Sequence, residues 1–322
     1  MTVKVSCLGG GVLDLIYGVD HLPSEDGKSS ARSYAESGGG MAANAAVIVS
    51  RLGGQANWCG RVGDDDKGKR ILEGLRHEGV DVETARTVPG IQSSHSIVLK
   101  DLAGNRAIIL YRAEGVDPDT SWIPLDRLLD ADAVLADNRW VEGAVALLTA
   151  GRAKGLPAVL DADSAGDDST LDAVRASTHA VFSAPGLAAL FKTNDPVKGL
   201  REAKKFAPFV AVTDGRRGVL WIGSDEVLRH LPAFKVDAVE TVGAGDIFHG
   251  AFAYGLGVGM SEEEALRLAS ATAAVKCTGE GGRRSFPDMA HVQAFLGAPE
   301  NVAITTITEP TKAWGNGGNT NG

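Results

Sequence analysis

The sequence predicts an α/β protein in which a mostly parallel sheet lies between two helical layers and a small β-sheet projects from the core. Three observations carry that expectation. From residue 131 onward, short apolar runs at 133–136, 158–161, 180–183 and 209–213 alternate with helical segments, the pattern of βαβ units. Two β-rich pieces, 12–36 and 93–113, do not fit the alternation and are free to form a sheet of their own. The chain has 322 residues and 44% hydrophobic content, enough for one large core with a small accessory element.

The elements follow in order. Residues 3–8 read as a buried strand ending in Gly9-Gly10-Gly11. Residues 41–52 are small, apolar and helical, and Gly53-Gly54 stops them. Residues 57–62 read as a strand, and 67–77 as an amphipathic helix stopped by Gly79. Residues 93–99 and 106–111 flank Ala103-Gly104-Asn105 and predict a hairpin. Helices at 246–256 and 262–277 complete the helical layer. Residues 298–322 are rich in Thr, Asn and Gly without periodicity, which predicts a flexible tail after a single domain spanning 1–297.

Charge and cysteine content exclude several functions. With 32 basic and 41 acidic residues the net charge is -9, so bulk charge attracts neither nucleic acid nor anionic membranes. An anionic ligand must be held by local cations or backbone N–H groups. Cys7, Cys59 and Cys277 are far apart and odd in number, which points to a reducing compartment and a cytoplasmic address. The N-terminus lacks a signal-like apolar stretch, and no run of about 18 apolar residues predicts a membrane span.

Two stretches carry chemistry. Glu240-Thr241-Val242-Gly243-Ala244-Gly245-Asp246 leads into Ile247-Phe248-His249-Gly250-Ala251-Phe252. Small residues let the backbone approach a ligand closely, and the N-terminus of the helix that follows suits an oxyanion. Asp246 stands where a carboxylate could accept a hydroxyl proton during phosphoryl transfer. Alone, this peptide could equally be a glycine-rich turn capped by Asp. The second stretch runs from Ser37-Gly38-Gly39-Gly40-Met41-Ala42-Ala43-Asn44 to Arg51-Leu52-Gly53. Its glycines would expose N–H groups to a sugar, and Asn44 can both donate and accept.

Together these stretches resemble the ribokinase-like (PfkB) family of carbohydrate kinases, which carries a GG-x-x-AN motif near its N-terminus and DT-x-GAGD near its C-terminus. Gly60-Arg61-Val62-Gly63-Asp64 and Thr213-Asp214-Gly215-Arg216-Arg217-Gly218 resemble two further elements of that family. The resemblance implies a ribokinase-like three-layer α/β/α fold and an ATP- and Mg²⁺-dependent transfer to a sugar hydroxyl. It implies that Asp246 is the base and that Gly243, Ala244 and Gly245 form the anion hole. It places Asp14, Gly39, Gly40 and Asn44 on the sugar, and Thr213, Gly215 and Gly218 beside the ATP phosphates. The two projecting β pieces match the family's lid, through which a homodimer could form.

Two departures qualify this. Glu240 replaces the usual Asp near a monovalent-cation site, which leaves that cation open. Ser183-Ala184-Pro185-Gly186 stands where the family's N-x-x-E element, linked to Mg²⁺, should fall. Several segments, among them Ala136-Asp137-Asn138-Arg139-Trp140 and Lys276-Cys277-Thr278 with Gly281-Gly282-Arg283, look like sulfofructose kinases. That branch implies 6-deoxy-6-sulfofructose as substrate, with Lys28 and Arg139 on the sulfonate. Leu110 stands where that branch has a polar lid residue, and Arg112 shares its face if the segment is a strand. The alternatives are a kinase of fructose or of 2-keto-3-deoxygluconate, a nucleoside kinase, and a non-catalytic sugar or nucleotide sensor. A sensor has no need of Asp246.

Overall fold

A computed structural model describes residues 2–24, 26–115, 118–163, 168–297 and 303–306. The first half of the chain contains β1 (Lys4–Leu8), β2 (Val12–Gly18), β3 (Ser33–Gly39), α1 (Met41–Arg51), β4 (Gln55–Cys59), β5 (Arg61–Gly63), α2 (Asp66–His77), β6 (Arg86–Val88), β7 (His95–Lys100), β8 (Arg106–Tyr111) and α3 (Leu125–Leu128). The regular alternation then runs through β9 (Ala133–Asp137), α4 (Val141–Ala153), β10 (Ala158–Ala162), α5 (Thr170–Ala176), β11 (His179–Ser183), α6 (Ala184–Phe191), α7 (Pro196–Ala203) and β12 (Phe209–Thr213). β13 (Val219–Ile222), β14 (Leu228–Leu231), α8 (Ala244–Val258), α9 (Glu262–Cys277), α10 (Met289–Leu296) and β15 (Thr305–Thr306) complete the described chain.

Nine strands form the main sheet in the order β15-β14-β13-β12-β11-β10-β9-β1-β4. The six strands from β12 to β4 are parallel, and β13, β14 and β15 extend the edge in antiparallel fashion. Strand side chains alternate between two cores, as the period of two requires. Phe209 and Ala211 join Val159 and Val181 under α1, α8 and α9. Val210 and Val212 join Leu160 and Phe182 under α4 to α7. Both faces are therefore apolar, which is why these strands read as short continuous hydrophobic runs.

Local chemistry sets the helix ends. Ser261 and Glu264 form a reciprocal capping box at α9. Asp65 caps α2 by accepting from Gly68 N–H, so the acidic run Asp64-Asp65-Asp66 serves a helix start. The expected strand at 57–62 is broken. A Cβ at Gly60 would fall 2.2 Å from the Trp58 ring and 2.6 Å from the Gly9 carbonyl, so the chain bends there, and β5 pairs with β6 in a separate two-stranded sheet.

The projecting sheet exists, with strand order β3-β2-β7-β8. The expected hairpin is β7–β8, with Lys100 opposite Arg106. Ser37, Gly38 and Gly39 belong to strand β3, so of the glycines before α1 only Gly40 lies between strand and helix. Four strands were not anticipated: β6, and β13, β14 and β15, which form an antiparallel edge with no helix between them to mark it. Most of the expected tail lies outside the described residues; within them, Thr305 and Thr306 pair with β14.

The α8–sheet contact fixes where the loop before α8 emerges. Phe252 on α8 is fully buried, stacks on Phe209 at 5.6 Å and meets His179 edge-on at 5.8 Å. Phe252→Ala is expected to lower unfolding free energy by about 3–5 kcal/mol. In urea this appears as a lower midpoint with an unchanged slope. A loss below about 1 kcal/mol would show that the site collapses around the void.

Candidate active site

Ligands of open α/β sheets bind beyond the carboxyl ends of the parallel strands. Here that edge is organised by Asp137, the last residue of β9 and fully buried. Its carboxylate accepts N–H bonds from Gly10 at 2.8 Å, Ala42 at 3.0 Å and Arg139 at 2.9 Å. Burial pushes this acid above its ordinary range, while the three N–H groups and the Arg139 guanidinium pull it back. Gly9 is confined to glycine, because its φ is 147° and a Cβ would meet the Asp137 carboxylate at 2.3 Å.

Two cavities open at this edge, one on each side of the N-terminus of α8. The first, of about 680 Å³, is lined by Gly10, Asp14, Gly40, Arg139 and Asp246, and a smaller recess with Asn44, Gly243 and Arg283 adjoins it. The second, of about 900 Å³, is lined by Thr213, Gly215, Gly218, Ala244 and Gly245. The turn into α8 thus has one flank in each cavity. Gly243 has φ 76°, a left-handed conformation that glycine adopts without strain, and α8 starts directly after it, earlier than expected.

Asp246 is held by a chain of groups. Asn44 Nδ2 donates to its carboxylate at 2.7 Å. Arg283 Nε donates to Asn44 Oδ1 at 3.0 Å, which fixes which end of the amide faces Asp246. Arg283 also donates to the Gly39 carbonyl at 3.3 Å. Burial pushes the Asp246 carboxyl up to about 6, and the Asp163 and Asp137 carboxylates push the same way; the Asn44 bond and Arg139 oppose them. An acid of this strength is largely ionised at neutral pH and is a better proton acceptor than an ordinary carboxylate.

The lid supplies the opposite wall of the first cavity. Ser37, Asp14, Ser96 and Leu110 lie side by side across its four strands. Ser96 Oγ donates to Asp14 at 2.6 Å. Burial raises the Asp14 acid, and Ser96 and Arg283 counteract it. Gly39 permits this packing, since a Cβ there would fall 2.5 Å from the Asp14 carboxylate. Arg112 lines the cavity with Leu110 and Arg139. Arg139 pairs with Asp163 through Nη2 at 3.0 Å, while its buried Nη1 has no hydrogen-bond partner among the described residues. Lys28 is elsewhere: it is exposed on the β2–β3 connection and outside the residues lining the cavity.

The second cavity is more apolar, with Val219, Phe234, Val236 and Phe248 among its walls. Gly218 turns with φ 93°, and a Cβ there would strike the Leu231 carbonyl at 2.2 Å.

Sequence reasoning missed Arg283 as the group that orients Asn44. Its one signal was a charged pair, Arg283-Arg284, after Gly281-Gly282. It also missed the partners of Glu240, which are Lys100 Nζ at 2.6 Å and Lys276 Nζ at 3.5 Å.

Comparison with known proteins identifies the family. The sequence pattern of the pfkB family carbohydrate kinase matches residues 3–289. An ATP-dependent ribose-1-phosphate kinase of Halopiger xanaduensis is 32% identical over 91% of this chain and 98% of its own. The ribokinase of Bacillus subtilis is 29% identical over 91% and 99%. A crystal structure of a candidate ribokinase from Agrobacterium tumefaciens superposes with TM-score 0.87 at 36% identity, covering 91% of this chain and 97% of that one. The Arabidopsis thaliana ribokinase complexed with ribose and ATP gives TM-score 0.83 at 25% identity, covering 92% and 100%. With two cavities meeting at the Gly243–Asp246 turn and a family match over most of its length, the chain belongs to the pfkB family of carbohydrate kinases.

Proposed function

We propose that the protein is an ATP-dependent kinase of a small anionic sugar, with 6-deoxy-6-sulfofructose, phosphorylated at its 1-hydroxyl, as the substrate. The observation that carries the kinase reading is Asp246 at the helix N-terminus between two cavities. The sugar occupies the lid-side cavity, with Asp14 and the Gly39–Gly40 segment on its hydroxyls. ATP occupies the other, with its phosphates beside Thr213, Gly215 and Gly218. Asp246 accepts the proton of the attacking hydroxyl. N–H groups at the start of α8 face the charge that develops on the transferring phosphoryl group, aided by the helix dipole.

Among the described residues no group of three His, Cys, Asp or Glu could hold a metal ion. That fits Mg²⁺ carried on the nucleotide's own phosphates with several waters retained, where it neutralises phosphate charge. Asp163, which lies after β10 and accepts from Ser183 Oγ at 2.8 Å, is a carboxylate beside segment 183–186 that could stand in for the family's Glu.

The anionic substrate is supported by Arg139, with its unpartnered buried Nη1, and by Arg61 and Arg112 in the same cavity. Arg61 lies 3.8 Å over the Trp140 ring, a stacking contact that helps hold a planar cation in place. The exposure of Lys28 leaves Arg139 as the principal anion contact. A second reading is ribose 1-phosphate or ribose, supported by the names of the relatives; fructose and keto-deoxy sugar acids remain in the comparison set. An ATP-consumption screen across these sugars tests the assignment, and preference for a neutral sugar overturns it. The exposed Ile108, Ile109 and Leu110 on lid edge strand β8 support pairing of two copies through the lid.

Asp246→Asn keeps the shape and removes the proton acceptor. Turnover is expected to fall about 10²–10⁴-fold, with ATP affinity by calorimetry near that of the wild type. A kcat near wild type would remove Asp246 from the base role. Because its carboxyl is pushed up to about 6, activity should be present above that pH and lost as pH falls through it. A kcat/KM profile whose acid limb lies near 3.8, the ordinary value, would contradict the buried placement.

Arg139→Ala tests the anion. Leaving a desolvated sulfonate unpaired costs roughly 2–5 kcal/mol, so kcat/KM for sulfofructose should drop by about two orders of magnitude or more. That for fructose should change little. Equal losses on both substrates would make Arg139 a structural residue.

A further inference from the structure

The acidic residue that opens the catalytic loop already has its cation. Glu240 is buried at 7% exposure and Lys276, at the end of α9, is at 0%. Lys276 Nζ donates to the Glu240 main-chain carbonyl at 2.9 Å and lies 3.5 Å from its carboxylate Oε1. The same Oε1 accepts from Gly282 N–H at 3.3 Å. The other oxygen takes Lys100 Nζ from lid strand β7 at 2.6 Å. The N–H groups of Val239 and Glu240 both donate to the Cys277 carbonyl, at 2.7 and 3.2 Å, so the start of the loop is stitched to the residue after Lys276.

A monovalent metal ion at this position would need the carbonyl and carboxylate oxygens that face Lys276. It would also enter a cluster in which one carboxylate already meets two ammonium groups. These donors do not fit such an ion. An ammonium carries the same single charge, and a covalently attached one is present at any salt concentration. The extra methylene of Glu relative to Asp lets one carboxylate reach both lysines.

We propose that the Lys276 ammonium is the protein's resident monovalent cation. It holds Glu240, and through it residues 241–245 before Asp246, so phosphoryl transfer needs no potassium. The inference builds on the kinase reading above but has readouts that do not depend on it.

The test exchanges the wild-type protein into tetramethylammonium chloride and titrates KCl at constant ionic strength. A native-state ion site would raise the melting temperature with KCl. Melting temperature, ATP affinity by calorimetry and kcat/KM are each expected to stay the same, kcat/KM within about twofold. A rise of about tenfold or more in kcat/KM or ATP affinity with KCl, or a KCl-dependent rise in melting temperature, overturns the proposal. Lys276→Met removes the charge from a long side chain, and Lys276→Ala opens space beside Glu240. Both should lose kcat by about tenfold or more, and Lys276→Ala should regain activity with ammonium or potassium chloride. Wild-type kcat in Lys276→Met also overturns the proposal. If the variants fail to fold, the wild-type titration still decides. If no sugar is phosphorylated, the kinase reading fails, and the melting and calorimetric arms decide this one.

Discussion

A buried carboxylate must be met by donors or it destabilises everything around it. Asp137 meets that demand with backbone N–H groups from three segments: the turn after β1, the first turn of α1, and its own loop leading to Arg139. The consequence is geometric. Once the start of α1 is fixed over the sheet edge, Asn44 is fixed too. Gly250 lets α8 approach α1 closely, since a Cβ there would fall 2.4 Å from Ile48 and 2.6 Å from the Ala45 carbonyl. Asn44 then reaches Asp246. The position of the Asp246 carboxylate therefore traces back, through one helix and one amide, to the fully buried Asp137.

The same crowding sets the electrostatics. Asp137, Asp163 and Asp246 share a small volume with Arg139, and burial penalises every carboxylate in it. Asp161 is driven furthest, by burial and by Asp246, Asp137 and Asp163, well above its ordinary range. A more open site would leave Asp246 a weaker base. The Asn44 hydrogen bond and Arg139 act the other way and limit the rise. Arg283 balances from the other side: burial lowers its pKa to about 10, and Glu78, Asp14 and Asp246 resist the drop.

What could be read from the sequence follows from how local each cause is. The parallel strands β1 and β9 to β12 were legible because each is a short apolar run, and α9 was legible to the residue because Ser261, Glu264 and the pattern between them are local. The turn at Gly243–Asp246 was legible because its small residues are consecutive. The orientation of Asn44 was not, because Arg283 lies 239 positions away and nothing near either residue names the other. The glycines at 38 and 39 carry no strand signal of their own, yet their neighbours across the lid make them strand. Lys28 is close in sequence to the lid strands, but its side chain is exposed on the β2–β3 connection and is not among the residues lining the cavity.

The two lysines on Glu240 differ in one respect that matters for a lid. Lys276 is fully buried, whereas the Lys100 side chain keeps 35% of its surface exposed. A partly exposed ion pair is weakened by solvent and salt and separates at small cost, while a buried pair broken on one side strands a charge. If the lid swings away from the core, Lys100 leaves for water and Glu240 still has Lys276, the Gly282 N–H and no uncompensated charge. The loop before Asp246 can therefore keep its shape while the wall opposite it moves. Dividing its partners between a fully buried lysine and a partly exposed one lets a single buried carboxylate tie the core to the lid without depending on the lid for its charge balance.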